Sequence, residues 1–106
     1  MEKQTVLSAL AALAQETRLD VFRVLVQAGP QGLAAGAIGA ALDIPSATLS
    51  FHLKELKSSG LVRCERRGRW RIYSPDFSAV GQLMDFLTAN CCQGVDSCDL
   101  GSKGDC

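Results

Sequence analysis

Halfway along the chain the apolar residues change period, and this change restricts the possible folds more than any other feature. Leu49, Leu53 and Leu56 fall at i, i+4 and i+7, the spacing of a helix that buries one face. After Gly60 the repeat becomes two. In VRCERRGRWRIYS, Val62 and Cys64 alternate with Arg63 and Glu65, and Trp70 and Ile72 alternate with Arg69, Arg71 and Tyr73. Two strands around a turn at Arg67-Gly68 account for the pattern.

The segments on either side read as helices. Thr5 to Ala14 is apolar at Val6, Leu7, Leu10, Leu13 and Ala14, with so little polar surface that a partner subunit is its natural cover. Glu16 to Ala28 carries Leu19, Phe22, Leu25 and Val26 on one stripe and stops at Gly29-Pro30. Leu33 to Leu42 is a weaker helix, because Gly36 and Gly39 each cost about 1 kcal/mol relative to Ala. Asp43-Ile44-Pro45 is a short turn, and Ser46 is placed to cap the helix that follows. Ser74-Pro75 opens a last helix with Phe77, Val80, Leu83, Met84 and Leu87 as its stripe, fading near Asn90. The pattern predicts a mainly helical domain with a small β-hairpin over residues 1–90, then a flexible tail over 91–106.

No run of eighteen apolar residues is present, so no membrane span is expected. The start, MEKQTVLSALAALAQE, lacks the basic flank, long apolar run and cleavage site of a signal peptide. A cytoplasmic location follows, where thiols stay reduced and clustered cysteines bind metals or do redox work.

Net charge is zero, but its distribution is uneven. Between Phe51 and Tyr73, Lys54, Lys57, Arg63, Arg66, Arg67, Arg69 and Arg71 stand against Glu55 and Glu65, an excess of five positive charges. From Pro75 onward there are five aspartates and one lysine. A basic middle and an acidic end imply a nucleic-acid face and a separate surface.

Two short helices joined by a tight turn, then a basic hairpin, is the order of a winged helix-turn-helix. The second helix of such a pair presents Ser46, Thr48, Ser50, Phe51, His52 and Lys54 to the major groove. The hairpin tip brings Arg66, Arg67 and Arg69 to phosphates or the minor groove. Each residue also has a plainer role. Ser46 serves as a cap, His52 as a structural hydrogen-bonding group, and the arginines as a solvated edge that discourages sheet aggregation.

The run IPSATLSFHLKELKSSGLV followed by RRGRWRIYS resembles the recognition helix and wing of the ArsR/SmtB metalloregulators, and QETRLDVFRVL resembles their second helix. The resemblance covers about residues 5 to 90. It implies a homodimeric repressor, joined through its first and last helices, that binds a twofold-symmetric DNA operator and is released by an inducer.

Inducer sites move about this family's fold, so each needs testing against these residues. An arsenic site with Cys-x-Cys before the recognition helix is absent, because LAAGAIGAAL holds no cysteine. A zinc site on the last helix needs several histidines, and His52 is the only one in the chain. The tail NCCQGVDSCDLGSKGDC remains. Soft thiolates select soft ions, and Cys91, Cys92 and Cys98, spaced CC-x5-C, resemble the C-terminal thiol sites of arsenic-responsive members, with Cys106 a fourth candidate. As(III) is the inducer this implies, with Sb(III) the close second. A tetrahedral zinc site, a thiol-oxidation switch closing Cys92 on Cys98, and incidental cysteines stay open as alternatives. Cys64, beside Val62 in a strand, reads as a small buried hydrophobe. A thiol enzyme is disfavoured: there is no C-x-x-C, and the sole histidine sits in the recognition helix. A protein-interaction module is the third class.

Overall fold

The computed structural model describes residues 1–94. It contains α1 (Lys3–Leu13), α2 (Glu16–Ala28), β1 (Leu33–Ala34), α3 (Ala35–Leu42), α4 (Ser46–Ser58), β2 (Val62–Arg67), β3 (Trp70–Pro75) and α5 (Phe77–Thr88). The strands form one antiparallel sheet in the order β1-β3-β2. This is the winged helix-turn-helix arrangement, with α3 and α4 as the helical pair and β2–β3 as the wing.

Local chemistry sets the boundaries. The Gln15 side chain accepts a hydrogen bond from the Arg18 amide at 2.8 Å and caps α2, which covers the residues its stripe predicts. Asp43 closes α3 in the left-handed region at φ 54°. Asp76 caps α5 through its carboxylate, which accepts from the Ala79 amide at 3.1 Å.

Several boundaries differ from the sequence reading, among them α1, which runs Lys3–Leu13 where Thr5 to Ala14 is expected. Ser46 is the first helical residue of α4 rather than its cap; Pro45 holds that position, and its carbonyl accepts from the Leu49 amide at 2.9 Å. The hairpin turn lies one residue later than expected, at Gly68-Arg69, with Gly68 at φ 63°. Pro75 ends β3 instead of opening the last helix. Leu33 and Ala34 form a strand against Tyr73 and Ile72, so α3 begins only at Ala35. Gly32 makes that pairing possible: at φ 75° its backbone lies so close to Tyr73 that a Cβ would meet the Tyr73 carbonyl oxygen at 2.5 Å.

The core gathers one face of every helix. Val21 and Leu25 of α2, Ile38 of α3, and Leu49, Leu53 and Leu56 of α4 are buried together with Leu61 and Val62. From α1 the inward residues are Val6, Ala9 and Ala12, and from α5 Leu83. Other large side chains of these two helices turn outward: Leu7, Leu10, Phe77, Met84, Phe86 and Leu87 are all exposed. α1 and α5 pack on each other. No helix among the described residues is long and apolar enough to cross a membrane.

Candidate nucleic-acid interface and thiol pair

α4 has two faces of opposite character. Leu49, Leu53 and Leu56 anchor it in the core, leaving Ser46, Thr48, Ser50, Phe51 and Lys54 exposed on the other side. Hydroxyls near the N-terminus, an aromatic ring and a lysine give this surface donors, acceptors and an apolar contact for base edges. Phe51 is 55% accessible, with its ring edge-on to that of His52 at a centroid distance of 5.5 Å.

His52 lies elsewhere. It is 8% accessible and faces inward, where Arg18 Nη1 donates toward its Nδ1 at 3.4 Å. The same guanidinium donates from Nε to the Ala12 carbonyl at 2.8 Å, tying the C-terminus of α1 to α2 and α4. Of the two roles the sequence allows for His52, the structural one fits this position. Arg18, which joins three helices, carries no sequence signal beyond its place in QETRLDVF, so sequence reasoning missed it.

The wing extends the basic surface. Arg66, Arg67 and Arg69 are exposed around the turn. Arg67 Nε pairs with Glu65 Oε1 at 3.0 Å, and Arg66 Nε reaches the Gly68 carbonyl at 3.4 Å, so the tip is partly ordered by its own charges. Cys64 is half-buried and opposes Tyr73 across the two strands, rather than sitting in the core. Burial, with Cys64 beside it adding to the effect, pushes the Tyr73 phenol above its ordinary range, and Arg71 works against both.

At the far end of the fold the chain leaves α5 through a tight turn. The Cys91 amide donates to the Thr88 carbonyl at 3.0 Å, and Asn90 and Cys92 adopt left-handed φ values of 60° and 67°. This turn places the Cys91 and Cys92 sulfurs 2.8 Å apart, so that adjacent residues present their sulfur atoms to one point. Cys92 is disulfide-bonded. Among the described residues no three of His, Cys, Asp and Glu gather as a metal site. Cys98 and Cys106 lie outside the described residues.

Comparison with known proteins gives a consistent picture. A family model described as a helix-turn-helix domain matches residues 13–65, which run from the end of α1 into β2. A Halobacterium salinarum protein bearing the name arsenical resistance operon repressor ArsR is 38% identical over 60% of this chain and 49% of its own. The chain thus spans about half the length of that relative. A Bacillus subtilis HTH-type transcriptional regulator, YbzH, is 32% identical over 72% of this chain and 88% of its own. Among solved structures, an ArsR-like transcriptional regulator from Rhodococcus superposes with TM-score 0.71 at 25% identity, over 79% of this chain and 76% of that one. A homodimeric winged helix-turn-helix DNA-binding domain from Mycobacterium bovis gives 0.67 at 30% identity, over 80% and 76%. These relatives are regulators of transcription, a class that is not enzymatic.

Proposed function

We propose a function from one premise: this chain belongs to the helix-turn-helix domain family, among regulators of the ArsR type, and is a transcriptional regulator. Our reading is a dimeric repressor that binds operator DNA and lets go when a trivalent arsenic or antimony species binds thiolates at the end of α5. The observation that carries it is the meeting of two features in one small fold. An open polar face on α4 stands beside an arginine-tipped wing, and two sulfurs converge where α5 ends.

The exposed apolar residues of α1 and α5 support dimerisation. Six large apolar side chains left exposed on two helices that pack together offer the kind of surface that a second copy covers. The homodimeric mycobacterial domain is a precedent for that assembly in this architecture. Two recognition helices in such a dimer stand about one DNA turn, roughly 34 Å, apart. Ser46, Thr48, Ser50, Phe51 and Lys54 then read the groove, while Arg66, Arg67 and Arg69 hold the backbone.

For the inducer, the support is the donor set and its position. Thiolates suit soft ions, and once Cys92 is reduced, Cys91 with Cys92 would supply two at one point, with Cys98 the proposed third. The ion would draw the chain after α5 together. Because α5 lies in the proposed dimer interface, that change would bias how the two α4 helices are spaced. The arsenical-resistance name of the halobacterial relative agrees with this ligand class. A second reading has its own observation. Cys92 is disulfide-bonded, which favours oxidation as the signal, two thiols losing two electrons and two protons to an oxidant.

A mobility-shift assay under reducing conditions separates these readings. Arsenite, antimonite, methylarsenite, zinc and an oxidant are titrated against the DNA complex of the wild type and of Cys91→Ser, Cys92→Ser and Cys98→Ser. Release by the arsenicals or antimonite that is lost in the serine variants supports the metalloid reading. Release only by the oxidant selects the second.

A further inference from the structure

Trp70 is the chain's only tryptophan, and it is 61% accessible at the first position of β3. Its cross-strand partner is Arg67, and Arg69 and Arg71 flank it in sequence. Register puts Trp70 on the same face of the hairpin as Arg67 and Glu65, opposite to the face on which Val62, Cys64, Tyr73 and Pro75 meet the body of the protein. The ring therefore contributes nothing to the core. It does not serve to hold Arg67 either, because that guanidinium pairs with Glu65 at 3.0 Å.

Single exposed apolar residues are ordinary. An indole with Arg67 across from it and Arg69 and Arg71 on either side, at the tip of a hairpin, is a different case. Burying a ring of this size favours association, and the arginines around it favour a partner that carries negative charge and disfavour a cationic one. The surface that satisfies both the ring and the arginines is a double-stranded DNA groove. There anionic phosphates border apolar sugar walls, and aromatic or aliphatic side chains enter beside the arginines. The indole N–H adds one donor for a phosphate or base acceptor.

We propose that Trp70 is a DNA-contacting residue of the wing, packing its ring against the sugar wall of the minor groove between phosphates held by Arg67 and Arg69. The proposal rests on the reading of this chain as a DNA-binding regulator and extends the interface by an apolar contact. Its contribution differs in kind from that of the arginines. An uncharged ring displaces no counterions, so it raises affinity without steepening the salt dependence.

The tryptophan is its own reporter. The full-length wild-type chain is titrated with mixed-sequence duplex DNA at low salt, following indole emission and its quenching by acrylamide, with a mobility shift run in parallel. Binding should change the emission and shield the ring from acrylamide. Trp70→Ala should weaken binding about tenfold with an unchanged salt slope, and Trp70→Phe should recover part of the loss. A mobility shift with unchanged emission and unchanged acrylamide access would overturn the role of Trp70 and leave the DNA-binding reading intact, as would Trp70→Ala binding like wild type. No shift with any duplex at low salt would overturn both.

Discussion

At the scale of single residues, the structure separates side chains that lie close together in the sequence. Ser50 and His52 are two positions apart on α4, yet one is exposed and the other buried against Arg18. Helical geometry is the reason: residues two apart point to different sides. Polarity alone allowed both on the DNA face, with a structural hydrogen bond the alternative for His52, and its partner, 34 residues earlier, leaves no local signal to decide between the two. The two substitutions should therefore behave oppositely. His52→Ala should cost about 1–3 kcal/mol of stability in chemical denaturation, because it strips a buried partner from Arg18. Ser50→Ala should leave stability within about 0.5 kcal/mol and lower affinity for operator DNA. The wing arginines form a third class. Arg67→Ala and Arg69→Ala should each weaken DNA binding evenly across sequences and reduce the salt slope by about 1. The same series measured at several salt concentrations tests this.

At the scale of elements, the strongly periodic pieces were legible and the short or irregular ones were not. The bounds of α2 were legible because a glycine and a proline follow it directly, but its buried face is Val21, Phe22 and Leu25, whereas Leu19 and Val26 of the expected stripe are exposed. The hairpin is equally plain, since its period of two is written in arginines. β1 left no such trace. Two residues cannot alternate visibly, and Leu33-Ala34 reads as the start of the alanine-rich helix that follows. What makes it a strand is tertiary: Gly32 lets the backbone approach Tyr73, and β3 supplies the partner. Gly32→Ala should consequently destabilise the fold by a few kcal/mol, combining a left-handed φ with a backbone clash. Gly36→Ala, where an added Cβ meets nothing within 4 Å, should be neutral or stabilising by up to about 1 kcal/mol. Thermal melts of the pair decide it.

At the scale of the whole molecule, the two ends of the chain do what the middle does not. Val6 and Leu83 join the core from α1 and α5, while the outward Leu7, Leu10, Phe77, Met84, Phe86 and Leu87 of the same helices make up most of the fold's exposed large apolar side chains. The apolar excess of the first helix was legible in the sequence as a demand for a cover. Which side chains it exposes was not, because small Ala9 and Ala12 take the inward positions and turn Leu7 and Leu10 out. A charge placed in this face, Leu87→Asp or Met84→Asp, should shift the chain from dimer to monomer in sedimentation and weaken operator binding with it. In the proposed dimer the same face would link the thiols to the reading helices. A signal at Cys91 and Cys92 would then reach DNA by altering how two copies sit together, and a useful switch requires a coupling of about 1–3 kcal/mol. The most direct measurement is the affinity of the reduced protein for fluorescently labelled operator DNA, by anisotropy, with and without arsenite. A loss of about 5- to 150-fold on adding arsenite, absent from a Cys91→Ser, Cys92→Ser double variant, is the predicted result. Equal affinities for the wild type in both conditions, or an undiminished response in the double variant, would contradict the account.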